Sequence, residues 1–173
     1  MQIYREITPL NKSDVFVLLD SASNGFDYPI HNHPEYELNL IMGMSGSRTV
    51  GDSTERYFDA DLVLIGPYIY HKWDGDAALL ASGQQYRVIT IQFGMDLFNA
   101  HLLQKGRFFK IRELLNDARR GLKFSGQTLS DASRMMISLT QDKEFSNIIE
   151  FLSLLDLLSR STERDFLASE GFT

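Results

Sequence analysis

The chain has 173 residues, 43% of them hydrophobic and 12% aromatic, with 17 basic and 23 acidic side chains for a formal charge of −6. This profile excludes a disordered tail and a polybasic nucleic-acid binder, and describes one compact domain that buries roughly 70% of its unfolded surface without a covalent staple. The absence of cysteine excludes disulfides, thiolate metal sites and a Cys nucleophile, and no apolar run approaches the ~18 residues of a membrane span.

The first residues, Met1 to Glu6, lack the basic start and apolar run of a signal peptide, so a cytoplasmic protein is expected. From Val15 to Phe93 the chain reads as short strands between turn signals, the pattern of a β-sandwich or barrel. Val15 to Leu19 is the first apolar run. Tyr36 to Met42 is the next, and Gly43 to Ser47 connects it to Arg48-Thr49-Val50. Gly51-Asp52-Ser53 turns the chain again. Leu62 to Ile65 is wholly apolar, as a strand buried on both faces would be, and Gly66-Pro67 closes it. Tyr86 to Phe93 alternates, with Val88, Thr90 and Gln92 on one face and Ile89, Ile91 and Phe93 on the other.

Beyond Phe93 the period changes from 2 to 3.6 and no proline recurs, which predicts helices. Phe108, Ile111, Leu115, Ala118 and Leu122 mark the first, with Gly121 as its stop signal. Leu129, Ala132, Met136 and Leu139 mark the second. The third, Phe145 to Leu158, is apolar around most of its circumference and must pack on two sides. Two arrangements satisfy that demand. Either a partner subunit covers one side, with Ile148, Phe151, Leu152, Leu155 and Leu158 as the dimer interface, or the helix is the centre of a three-helix layer. Ser159 to Thr173 turns polar and reads as the start of a linker.

Three of the four histidines stand in a pattern: His31-Asn32-His33-Pro34-Glu35-Tyr36-Glu37, then His71. Residues two apart in a strand share a face, so His31 and His33 present their imidazoles together, and Glu37 has the same parity. His71 must come from another strand. Three imidazoles and a carboxylate form a mixed N/O set suited to Mn, Fe, Ni, Zn or Cu and unsuited to Ca or Mg. The alternative is a polar lining that holds water or an organic molecule. Glu35 has the same chemistry as Glu37, but its spacing fits less well and its neighbour Pro34 favours a turn. His101, among Phe98, Leu102 and Leu103, reads as a structural histidine.

At these residues the chain resembles the cupin superfamily. Gly25, His31, His33, Glu37 and Gly43 follow the first cupin motif, with the last spacing one residue short; Ala60-Asp61, Gly66-Pro67, His71 and Gly75 follow the second more loosely. The resemblance implies an antiparallel β-barrel of the double-stranded β-helix, or jelly-roll, type over residues 1–95. Segments HNHPEYELNLI (31–41), GSRTVGD (46–52), DLVLIGPYIYHKW (61–73), VITIQF (88–93), LLNDARRGLKFSG (114–126) and ASEGF (168–172) resemble more narrowly the N-terminal sensor domain of AraC-type transcription regulators, of the cupin-bearing kind found in Bacteroidetes-like bacteria. Strands followed by helices with no linker between them read as one α+β domain, and the likeness implies a barrel holding a small effector, about three helices over 96–160 forming a dimer contact, and from 161 a linker to a DNA-binding domain that this chain does not contain. DNA would be a partner only through that domain.

Around the histidines, Trp73 and Tyr70 offer rings on which a sugar-like effector could stack, and Arg48 could clamp an acidic one. Thr90 and Gln92 either point into the pocket as hydrogen-bonding groups or face solvent. GxSxG, Walker-type, GxGxxG and HExxH motifs are all absent. The rival to a non-enzymatic sensor is therefore a small metal-dependent cupin enzyme, an isomerase or dioxygenase, using the same four ligands.

Overall fold

The computed structural model describes residues 4–22, 26, 28–141 and 144–172. Gly25, at the head of the first motif, lies outside them. Among the described residues, eleven strands form two sheets and five α-helices accompany them, an α+β architecture. The first sheet runs in the order β1 (Tyr4–Arg5), β3 (His31–Asn32), β8 (His71–Gly75), β5 (Gly46–Val50), β6 (Ser53–Tyr57). The second runs β11 (Arg164–Phe166), β10 (Leu122–Phe124), β7 (Ala60–Ile65), β4 (Tyr36–Met42), β9 (Arg87–Phe93), β2 (Val17–Ser21). Described pairings are antiparallel except that of β1 with β3. Among the described residues the strands thus make two open sheets rather than one continuous ring, because the edge strands β1, β6, β11 and β2 pair on one side only.

Side-chain parity assigns the two faces of the second sheet. Leu38 and Leu40 of β4, Leu62 and Leu64 of β7, and Ile89, Ile91 and Phe93 of β9 join the helices in one core. The alternate residues Ile41, Val63 and Ile65 pack with Val50, Tyr57 and Trp73 of the first sheet in a second core. With a layer on each side, β7 has no solvent face, which accounts for its unbroken apolar run; Leu62 to Ile65 are all 0% exposed. Gly46 is required where β5 meets β8, since a Cβ there would lie 1.8 Å from the Asp74 carbonyl oxygen.

The helical half differs from the sequence expectation in two places. Phe108 to Leu122 is not one helix: α3 (Phe109–Asp117) tightens into a 3-10 turn over Ala118–Arg120, and Gly121, at φ +66°, redirects the chain so that Leu122 enters β10. The other two predicted helices are α4 (Gly126–Leu139) and α5 (Phe145–Arg160), with α1 (Ala77–Ala81) and α2 (Ala100–Leu103) as short additions. Residues 161–172 are not the start of a free linker. They form β11 against β10, bury Leu167 and Ala168, and fix Ser169 to Asp52 through its amide (3.0 Å) and hydroxyl (2.6 Å).

Helix α5 contacts both α3 and α4 and is the centre of the layer. Phe151, Leu155 and Leu158, expected at a dimer interface, are each 0% exposed within the single chain and pack in its core. Leu152 is exposed, as are Phe145 and Ile149, while Ile148 is half-buried. No described helix is long and apolar enough to cross a membrane.

Candidate metal centre

His31 and His71 face each other as register partners across β3 and β8, and His33 follows two residues after His31. The ring centroids lie 4.2 Å apart for His31 and His71, 5.1 Å for His33 and His71, and 6.0 Å for His31 and His33. A backbone bond from the Tyr68 amide to the His33 carbonyl, 2.8 Å, holds the end of this segment beside the approach to β8. One nitrogen of each ring lies within 4.8 Å of the nitrogens of the other two. The cluster is buried, His33 being 1% and His71 0% exposed.

The tautomers follow from the neighbours. His31 Nδ1 donates to the Pro29 carbonyl at 2.9 Å and His71 Nδ1 to the Ile69 carbonyl at 2.8 Å. A carbonyl only accepts, so Nδ1 carries the proton in both rings and the neutral form turns its bare Nε2 lone pair inward. Metal-binding histidines are oriented in this way by outer hydrogen bonds. Among the described residues, buried His71 Nε2 meets no hydrogen-bond partner, an arrangement that a cation would satisfy.

Glu37 enters from β4 beneath the rings. Its Oε2 accepts a hydrogen bond from His33 Nε2 at 3.0 Å, and its Oε1 lies 3.4 Å from His71 Nε2. Gln92 Nε2 donates to Oε2 at 2.8 Å, Asn39 Nδ2 donates to Oε1, and Thr90 Oγ1 donates to Asn39 Oδ1 at 2.5 Å. Burial opposes ionisation of Glu37, but His33 and His71 beside it hold its carboxyl well below the usual carboxylate range. Burial likewise opposes protonation of His33, and the carboxylates of Glu37, Glu6 and Glu35 outweigh it, so that pKa is raised.

Donors bound to one transition-metal ion at about 2.0–2.2 Å stand roughly 3.0–3.5 Å apart when they subtend 90° to tetrahedral angles. The 3.0 and 3.4 Å separations from Glu37 to His33 and His71 match that spacing. Glu35 does not compete, because its carboxylate faces His33 Nδ1, at 3.5 Å, on the ring edge opposite Nε2.

A cavity of about 290 Å³ opens beside the cluster, and His31, Glu37, Trp73, Val88, Thr90 and Gln92 are among its lining. Thr90 and Gln92 stand on that wall, with their side chains bonded to Asn39 and Glu37. Trp73 lines the cavity with its Nε1 already donating to Asp61 at 2.8 Å. Arg48 is placed elsewhere: it is 1% exposed, absent from the cavity wall, and paired through Nη1 with Asp61 at 2.5 Å and through Nη2 with Glu55 at 2.8 Å. Tyr70 has the opposite parity to His71 and Trp73, and lines a separate cleft with Tyr68, Arg119, Arg120 and Phe172. His101 is exposed on α2 and belongs to neither group of metal-capable side chains among the described residues.

Three residues of the site are new to the sequence reading. Asn39 was legible in principle, since it shares the parity of Glu37 on β4. Tyr28 and Glu6 carry no such signal, because the pairing of β1 with β3, not sequence proximity, brings Glu6 to the histidines. No protein-family model matches the chain, and no curated protein matches it.

Proposed function

We propose that this chain is a cupin-type sensor domain that binds a small molecule beside a transition-metal ion, and that it serves as the effector-binding and dimerising part of an AraC-type transcription regulator. The observation that carries the small-molecule reading is the cavity of about 290 Å³ whose wall includes His31 and Glu37 themselves, so that an occupant and an ion would be neighbours. His31, His33, Glu37 and His71 would hold the ion, which would act as a Lewis acid toward an oxygen of the bound molecule. Trp73 supplies an apolar wall, and Thr90 and Gln92 supply polar groups. Facing sheets with this ligand set support the finer assignment to a jelly-roll barrel of cupin type.

The regulator reading rests on the resemblance of the segments named above and on the helical layer packed against the outer face of the cavity's own sheet. That contact gives an effector a physical route to the helices, provided the effector prefers one packing arrangement over another. A second reading, a metal-dependent isomerase or dioxygenase, is favoured by one feature: the ion would face a cavity large enough for a substrate.

Native mass spectrometry on protein purified without chelator or histidine tag tests the proposal. A dimer carrying one transition-metal ion per chain, lost on His33→Ala, is expected. A monomer carrying no ion overturns it. The reading frame separates the two functions: a basic helix-turn-helix segment following Thr173 supports the regulator, and a stop codon there supports the enzyme.

A further inference from the structure

Glu6 lies just beyond β1, where the parallel pairing sets Tyr4 opposite His31 and Arg5 opposite Asn32. Its amide donates to the Asn32 carbonyl at 3.0 Å, and the Tyr4 amide donates to the Ile30 carbonyl at 3.2 Å, which hold this segment along β3. Its side chain turns inward to line the cavity. There Oε2 stands 3.3 Å from His31 Nε2 and 3.9 Å from His33 Nε2. Tyr28 lines the same cavity, with its ring edge-on to His31 at 4.6 Å.

The contrast with Glu35 gives these distances meaning. Both carboxylates lie near His33, but Glu35 approaches Nδ1, whereas Glu6 approaches the Nε2 edge that also faces Glu37. Glu6, His33 and Glu37 place their ligand atoms within 4.8 Å of one another, so this set and the three-histidine set share His33. The 3.3 Å separation from His31 is that of neighbouring ligands on one ion, and 3.9 Å is reached at a wider angle.

Resting on the metal reading above, we infer that Glu6 is a fifth protein donor to the ion, beside His31, His33, Glu37 and His71. Ion binding thereby fastens β1, an exposed strand of two residues, onto β3. The position that a four-donor site leaves to water or to a small molecule is, in this chain, taken by its own N-terminal strand until a ligand displaces it.

Mn(II) titration followed by water-proton relaxation tests this, because it reports both affinity and the water carried by the bound ion. Wild-type protein should bind one Mn(II), and His33→Ala should abolish binding. Loss of an outer-shell partner costs about 10–100-fold in affinity, so Glu6→Gln should cost at least about tenfold. It should also raise the relaxation per bound ion as water enters the vacated position, with Glu6→Asp intermediate. Amide exchange at residues 4–6 of the wild type, which needs no variant, should slow when Mn(II) is added. If His33→Ala abolishes binding while Glu6→Gln keeps wild-type affinity and relaxation, the role of Glu6 is overturned and the metal site stands. Weaker binding with unchanged relaxation also overturns it, making Glu6 an outer-shell residue. A wild-type chain that binds no Mn(II) overturns both.

Discussion

Asn39 stands two residues beyond Glu37 on the same strand and donates its amide to Glu37 Oε1, so β4 carries both a candidate ligand and the group that orients it. Thr90, the register partner of Asn39 on β9, donates to the Asn39 carbonyl oxygen at 2.5 Å and fixes which way that amide points. Outer partners of this kind orient the inner ligands and tune their basicity. Asn39→Leu should therefore weaken Zn(II) binding by about 10–100-fold while His31, His33 and His71 remain in place. Competition with a chromophoric chelator measures the change, and wild-type affinity in the variant would remove Asn39 from the support of the site.

The burial of Leu155 changes what its substitution should do. With 0% exposure between the sheet and the other helices, Leu155→Ala should cost about 2–5 kcal/mol, and Leu155→Asp should prevent folding. Leu152, 42% exposed one turn away, reports on association instead. Leu152→Asp should leave stability within about 0.5 kcal/mol. If the remaining apolar face of α5 is the dimer contact, Leu152→Asp should also shift the protein toward monomer. Urea unfolding and light scattering read the two quantities separately, and a folded, wild-type-like Leu155→Asp would contradict the packing described.

Legibility in the sequence follows the physical range of each signal. Period-2 alternation in β9 and the wholly apolar β7 are local consequences of burial, and both were readable residue by residue. The His31/His33/Glu37 parity was readable for the same reason. Residues Leu122–Phe124 and Arg164–Phe166 were not, because these short strands exist only by pairing with each other and with β7, and Leu122 also fits the helical spacing of α3. In α5 the pattern showed that two sides are buried but not by what, and intrachain helices supplied the cover. Glu6 reaches the histidines through a parallel edge pairing that leaves no periodic trace.

Arg48 is a test of structural against binding roles. Its guanidinium, 1% exposed, neutralises Asp61, which also accepts from Trp73 at 2.8 Å. Removing one member of a buried pair strands the other, so Arg48→Met should destabilise the fold by about 3–5 kcal/mol. Urea denaturation checks this. Loss of ligand affinity with unchanged stability would instead restore Arg48 as a ligand clamp.

Glu163 makes the C-terminal segment part of the fold in a pH-dependent way. Its Oε2 accepts from the Thr128 amide at 2.8 Å and the Thr128 hydroxyl at 3.0 Å, capping the start of α4, where the side chain of Ser125 makes no capping bond. Hydrogen bonds from the Thr128 and Gln127 amides, and then from the Thr128 hydroxyl, lower its pKa from the ordinary value of 4.5. A carboxyl whose folded pKa is depressed binds fewer protons in the native than in the unfolded state. Its contribution is therefore complete above pH 4.5 and is lost as the pH falls through the lower folded value. Asp52, held down by Ser169, and Asp20, held down by Arg87, act in the same direction, so acid destabilises the whole domain. Glu163→Gln should consequently flatten the acid limb of unfolding free energy against pH without abolishing it. Urea unfolding between pH 3 and 7 measures both slopes, and identical slopes would mean that Glu163 does not cap α4 in solution.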